Sequence, residues 1–189
     1  GVETSQVITS SDVGSNATTI TAGAKAVTVT GNAGADTIIG SGLNDSISGG
    51  ADSAYDSIDA GAGNDTITFN NVGDIIDGGA GKDTLVIGAT YSASTDNDDN
   101  LVNVELISVK QVPTEFVVDF SAQTEGLSIL VSGSDGSNVL TIDGTTADSK
   151  VTGGQGADSI TGFSGVDSIT GGTGNDTISG GSASADTLT

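Results

Sequence analysis

Single branched aliphatic residues recur along this chain at wide, regular intervals. The first series is Ile38, Ile47, Ile58, Ile67, Ile76 and Leu85; the second is Ile160, Ile169, Ile178 and Leu188. An aspartate stands two positions before each: Asp36, Asp45, Asp56, Asp65, Asp74 and Asp83, then Asp158, Asp167, Asp176 and Asp186. The aspartate spacings are 9, 11, 9, 9 and 9 in the first series and 9, 9 and 10 in the second. The units read "GNAGADTII", "GSGLNDSIS", "GGADSAYDSID", "AGAGNDTIT", "FNNVGDIID" and "GGAGKDTLV", then "GGQGADSIT", "GFSGVDSIT", "GGTGNDTIS" and "GGSASADTLT". Each aliphatic with its two neighbours predicts a strand of about three residues whose middle side chain faces one side. The glycine-rich portion before it predicts a turn, because glycine reaches the positive-φ conformations that tight turns need. The two extra residues of "GGADSAYDSID" fall within the turn portion and leave the acid-to-aliphatic spacing intact.

Composition alone would admit disorder: 30 of 189 residues are glycine and only 3% are aromatic. Ten aliphatics in phase with ten acids exclude a linker. The length suits one elongated domain or two small ones. Net charge is −21, from 25 acids against 4 lysines, with no arginine or histidine. Nothing in the chain would neutralise phosphates, so nucleic acid is excluded as a partner and an anionic membrane surface would repel it. Divalent cations are the natural counter-charge. Without cysteine, disulfides and thiolate metal sites are excluded. No apolar run approaches the roughly 20 residues of a membrane helix, so membrane insertion is not expected, and no signal peptide is recognisable. The chain has no methionine and opens at Gly1; the expectation is a segment of a longer chain or a processed product. Serine triads and cysteine nucleophiles are unavailable without His and Cys. A two-carboxylate hydrolase stays formally open. Because ten of the 21 aspartates already belong to the repeat, we expect no enzyme.

"GGAGKDTLV", "GGQGADSIT" and "GGTGNDTIS" match every specified position of G-G-x-G-x-D-x-U-x, where U is a large aliphatic. In this the chain resembles the RTX nonapeptide-repeat family of calcium-binding parallel β-rolls. The resemblance implies an all-β fold, a parallel β-roll or β-solenoid with calcium-binding turns. Two units then form one coil, turn–strand–turn–strand, with opposed aliphatic stacks and parallel pairing between coils. One buried aliphatic per nine residues is a thin core against the entropy of ordering those residues. Calcium, a hard cation taking six to eight oxygens, would add what the core lacks. The family pattern places each ion between the turns of repeats n and n+2. That pairs Asp36 with Asp56, Asp56 with Asp74, Asp45 with Asp65, Asp65 with Asp83, Asp158 with Asp176, and Asp167 with Asp186, or about six ions. All ten aspartates are candidate ligands. Leu43, Phe69 and Val72 replace turn glycines and Gly181–Asp186 carries an extra residue, so Asp45, Asp74 and Asp186 depart furthest from the pattern.

Four stretches result: residues 1–30 as leading solenoid rungs, 31–86 as a first array, 87–150 without the rhythm, and 151–189 as a second array. Ile20, Val29 and Ile38 are nine apart, as if a ladder began before the first array. In the third stretch "NLVNVELISV" (100–109), "EFVVDFS" and "LSILVS" alternate as strands, and "GSDGSNVLT" is nearly a nonapeptide with Asn138 in the acid's place. We read the stretch as rungs continuing without calcium, in preference to a small β insert. "STDNDDN" (94–100) reads as a solvated loop rather than a cation site, since an EF-hand register from Asp96 puts Leu101 at the turn-glycine position six and Ile107 at the ligand position twelve. "GGAGKDT" lacks the glycine spacing of a phosphate loop. Glycosylation-type triplets at Asn16, Asn44, Asn64 and Asn175 follow, in the last three, from the repeat.

The resemblance further implies a secreted protein, exported unfolded by a type I pathway and folding where calcium is plentiful. The composition, rich in Thr, Ser, Gly and Ala, is similar to that of bacterial surface-layer (S-layer) proteins of this repeat class. The expected function is a structural calcium-stabilised segment at the bacterial cell surface, self-associating into a lattice, with cell-surface polysaccharide as a further partner. The alternative is a folding and secretion module of an RTX adhesin, toxin or hydrolase. The last unit carries no polar cap, so either more chain or a neighbouring molecule is expected to cover it.

Overall fold

The computed structural model describes residues 6–9, 16–69, 71, 73–87, 101–109, 128–131, 139–141, 148–162, 164–182 and 185–189. "EFVVDFS", "STDNDDN" and Asn138 lie outside these residues. The described chain is all-β and forms a parallel β-solenoid. It divides into two compact units, Gly1–Val86 with Val102–Val104, and Ile87–Leu101 with Glu105–Thr189.

In the first unit the strands are β1 (Gln6–Thr9), β2 (Thr19–Thr21), β3 (Val27–Thr30), β4 (Thr37–Ile39), β5 (Ser46–Ser48) and β6 (Ser57–Asp59). They continue as β7 (Ala62–Gly63), β8 (Thr66–Phe69), β9 (Ile75–Asp77), β10 (Ala80–Gly81), β11 (Thr84–Ile87) and β12 (Leu101–Val102), the terminal Ile87 and Leu101 being counted with the second unit. Apart from β7 and β10, which pair with each other in the turns, consecutive strands alternate between two walls: β1-β3-β5-β8-β11 on one, β2-β4-β6-β9-β12 on the other. Within a wall the aliphatics stack in register, Ile20 on Ile38 on Ile58 on Ile76, and Val29 on Ile47 on Ile67. The two-residue insertion before Ile58 leaves that register unbroken, which places it in the turn.

The second unit holds β13 (Leu106–Val109), β14 (Ser128–Val131), β15 (Val139–Thr141), β16 (Lys150–Gln155), β17 (Ser159–Thr161), β18 (Ser168–Thr173), β19 (Thr177–Ser179) and β20 (Thr187–Leu188). Its walls are β13-β14-β16-β18-β20 and β15-β17-β19. Ile107, Ile129, Val151, Ile169 and Leu188 form one stack; Leu140, Ile160 and Ile178 align on the other wall.

Burial follows the repeat with one departure. Repeat aliphatics from Ile38 to Leu85, with Ile160 and Ile169, are at most 2% exposed, and the Thr and Ser beside them face outward. Ile178 is only half-buried, and Leu188 is 45% exposed. Their strands β19 and β20 have a ladder neighbour on one side only. A second departure lies in "NLVNVELISV", expected as one strand. Asn103 adopts φ 55 and breaks it, so β12 and β13 join different walls. Asparagine tolerates this left-handed conformation better than most residues.

Candidate metal centres

Each strand of the ten repeat units is entered from a turn that closes with its aspartate; in the first array and at Asp158 and Asp167 that side chain is buried. Asp36, Asp45, Asp56, Asp65, Asp74, Asp83, Asp158 and Asp167 are all under 5% exposed, whereas Asp176 and Asp186 are half-buried. Buried acids are uncommon unless hydrogen-bonded, paired or bound to metal. Here the backbone supplies the first donors.

The six pairs two repeats apart are neighbours in space. The N–H of the earlier aspartate donates to Oδ1 of the later one. The distances are 2.8 Å for Asp36 to Asp56, 3.0 Å for Asp56 to Asp74, 2.7 Å for Asp45 to Asp65 and 2.8 Å for Asp65 to Asp83. Asp158 to Asp176 and Asp167 to Asp186 are each 2.9 Å. The first aspartate of a stack reaches back onto a rung without one: Thr18 N–H donates to Asp36 Oδ1 and Val27 N–H to Asp45 Oδ1, both at 2.7 Å. Likewise Ser149 N–H donates to Asp167 Oδ1 at 2.9 Å. The result is acids stacked one coil apart, a like-charge arrangement.

That arrangement has an electrostatic cost. Burial pushes Asp56, Asp65 and Asp74 up to about 6 from 3.8, although a backbone N–H bond pulls each back. The nearby charges of Asp52 and Asp36 add to the rise at Asp56, those of Asp83 and Asp45 at Asp65, and those of Asp56 and Asp52 at Asp74. A cation at the stacks would relieve both burial and repulsion.

The donor set suits calcium. Oδ2 of Asp65 is buried and meets no hydrogen-bond donor. Backbone carbonyls crowd the same turns: a Cβ on Gly61 would collide with the Ser41 carbonyl, and one on Gly79 with the Gly61 carbonyl. No cluster of three or more acidic side chains poised for a metal occurs among the described residues. Carbonyl oxygens would therefore complete any shell that one or two carboxylates begin, which is oxygen chemistry for a hard cation.

Three turn residues escaped the sequence reading. Asp52, inside the insertion, has a buried Oδ2 without a donor and accepts from the Ala54 N–H through Oδ1 at 2.5 Å. An acid within an insertion that interrupts an acidic repeat was the available signal. Ser41 and Asn32 also bond to the turn aspartates, and both stand where the repeat has its second glycine.

These features define a class: a parallel β-roll whose turns stack buried carboxylates beneath crowded carbonyls. The model of the RTX calcium-binding nonapeptide repeat (4 copies) matches residues 12–47, 39–71, 73–89, 132–162, 143–178 and 161–189. The chain belongs to the RTX calcium-binding nonapeptide-repeat family. No curated protein and no solved structure matches it.

Proposed function

We propose that this calcium-binding β-roll is a structural, non-catalytic segment of a secreted bacterial surface-layer protein, folding and then assembling on calcium. The observation that carries the calcium part is the buried Oδ2 of Asp65, which lacks a donor while its neighbours in the stack are also acids. Calcium bound there supplies positive charge to the stack. Asp65 would hold it, with carbonyls of the adjoining glycine turns as further oxygens. The remaining repeat aspartates, Asp36, Asp45, Asp56, Asp74, Asp83, Asp158, Asp167, Asp176 and Asp186, are the candidates from which the other ligands are drawn, for about six ions at most. Ion binding then contributes directly to folding free energy.

The surface-layer part rests on composition and on outer faces lined by small hydroxylated side chains such as Thr37, Ser46, Ser57 and Thr66, which are exposed and uncharged. Calcium titration followed by circular dichroism, light scattering and negative-stain electron microscopy tests both parts. The expected outcome is gain of strand signal followed by ordered sheets. Strand signal that ignores calcium and chelator sinks the calcium reading. A calcium-loaded protein that stays monomeric sinks the lattice and favours the folding and secretion module of an adhesin, toxin or hydrolase.

A further inference from the structure

The aspartate turns are of two kinds, and the residue four positions before the aspartate separates them. Ahead of Asp36 the Asn32 N–H donates to Oδ2 at 2.7 Å, while Oδ1 is taken by Thr18. Ahead of Asp45 the Ser41 N–H donates to Oδ2 at 2.6 Å. The Ser41 hydroxyl adds a bond to Asp45 Oδ1 at 3.0 Å beside the one from Val27. Both carboxylates are thus satisfied at each oxygen by their own chain. Asp65 is not: Oδ1 accepts from Asp45, and Oδ2 meets no donor although the residue is 1% exposed.

The difference lies in the backbone. Gly61, four before Asp65, sits at φ 99; Gly79, four before Asp83, at φ 85; and Gly172, four before Asp176, at φ 109. Residues with a Cβ rarely adopt this conformation. At Gly79 the N–H is directed to Asp77 Oδ1 at 3.0 Å, away from the turn aspartate. Asn32 and Ser41 do not follow, and their side chains fasten the alternative. Asn32 Oδ1 accepts the Gly34 N–H at 2.7 Å and Ser41 Oγ accepts the Leu43 N–H at 3.1 Å. Both are side-chain mimics of a backbone turn, spanning two residues. Gly154 shows that the closed form is open to glycine as well, since its N–H donates to Asp158 Oδ2 at 3.0 Å. Glycine permits either form; Asn and Ser hold one.

We infer that this residue sorts the turns by function. Turns with a positive-φ glycine there, at Asp65, Asp83 and Asp176, present their carboxylate to calcium. Asn32 and Ser41 convert Asp36 and Asp45 into clamps that hold their turns without an ion. The inference rests on the calcium reading above and narrows its ligand set.

The test is calcium bound per folded chain, measured by equilibrium dialysis with elemental analysis, using calcium alone and the whole chain. Asp65→Asn loses at least one ion relative to wild type, whereas Asp36→Asn and Asp45→Asn lose none. Ser41→Gly, which frees the Asp45 turn to open, gains one. A loss at Asp45→Asn equal to that at Asp65→Asn, or no gain at Ser41→Gly, overturns the inference while leaving calcium binding in place. Wild type that binds no calcium overturns both. Should Asp65→Asn fail to fold, Ser41→Gly decides by itself, since gain of an ion requires a released Asp45 carboxylate.

Discussion

Two regions of the chain solve the same stacking problem differently. In the first array β4, β5, β6 and β9 each bury one aliphatic, and the acid two positions earlier is buried with it. In β13 both Ile107 and Val109 are fully buried, and the acid two positions before Ile107 is Glu105, which is half-buried. The longer strand doubles its inward apolar surface, and its acid keeps contact with solvent. Each fully buried aliphatic contributes roughly 1.5–3 kcal/mol. The array instead concentrates buried charge in its turns, where an ion is needed to offset it. One region draws its stability from solvent exclusion, the other from solvent exclusion plus a ligand.

Chelation should separate them most widely. At free calcium about 100 times the dissociation constant each independent site contributes about 2.7 kcal/mol, so removing several costs an amount comparable to the whole stability of a domain. Hydrogen exchange in excess chelator is expected to release the amides of Thr66–Phe69 and Thr84–Ile87, which leave the Asp65 and Asp83 turns, by several orders of magnitude. Ile107 and Val109 should lose far less. Equal loss in both regions would mean that β13 leans on the ions as heavily as the array does.

A smaller effect separates positions within the core. With calcium present, Ile67→Ala and Ile107→Ala each remove a side chain that is 0% exposed, and each is expected to cost about 2–5 kcal/mol in denaturant melts. Leu188→Ala, at a position 45% exposed, should cost under about 1 kcal/mol. In formal repeat terms Ile67 and Leu188 are equivalent. A large loss at Leu188 would show that something packs against β20 in solution.

Those equivalent letters mark the limit of what the repeat makes legible. Ile38, Ile58 and Ile76 stack because one side chain per strand must point inward and coils pair in parallel, and both facts follow from periodicity. The same periodicity brings Asp45 beside Asp65. It does not distinguish their carboxylates, because that depends on whether residue 41 or 61 carries a Cβ and on where one N–H then points. Asn103 is similar: the alternation of "NLVNVELISV" reads as a single strand, and only a left-handed backbone at one residue divides it. Exposure of Leu188 is likewise invisible to a repeat, since it depends on the number of neighbouring strands rather than on the residue. Periodicity reports what is common to the units; hydrogen-bond direction and ladder ends are set by what differs between them.

The mildest way to part the regions is acid. Asp56, Asp65 and Asp74 titrate near 6 in the folded state, against an ordinary value of 3.8. Between those values the folded chain holds more protons than the unfolded one, so stability falls as pH rises. The contribution is fully present below 3.8 and lost as pH passes through about 6. Chelated protein should therefore regain strand signal, and amide protection at Ser57–Asp59 and Ile75–Asp77, as pH drops from 7 toward about 4. Protection at Ile107 and Val109 should change little, because none of these three acids lies in its rung. Chelated protein that loses strand content over this range would contradict the raised values. With calcium present the direction reverses for any carboxylate that binds the ion, since protons then compete with it. Curves with and without chelator are expected to converge as pH falls, and the pH at which they meet marks where a proton replaces the ion in neutralising the stack.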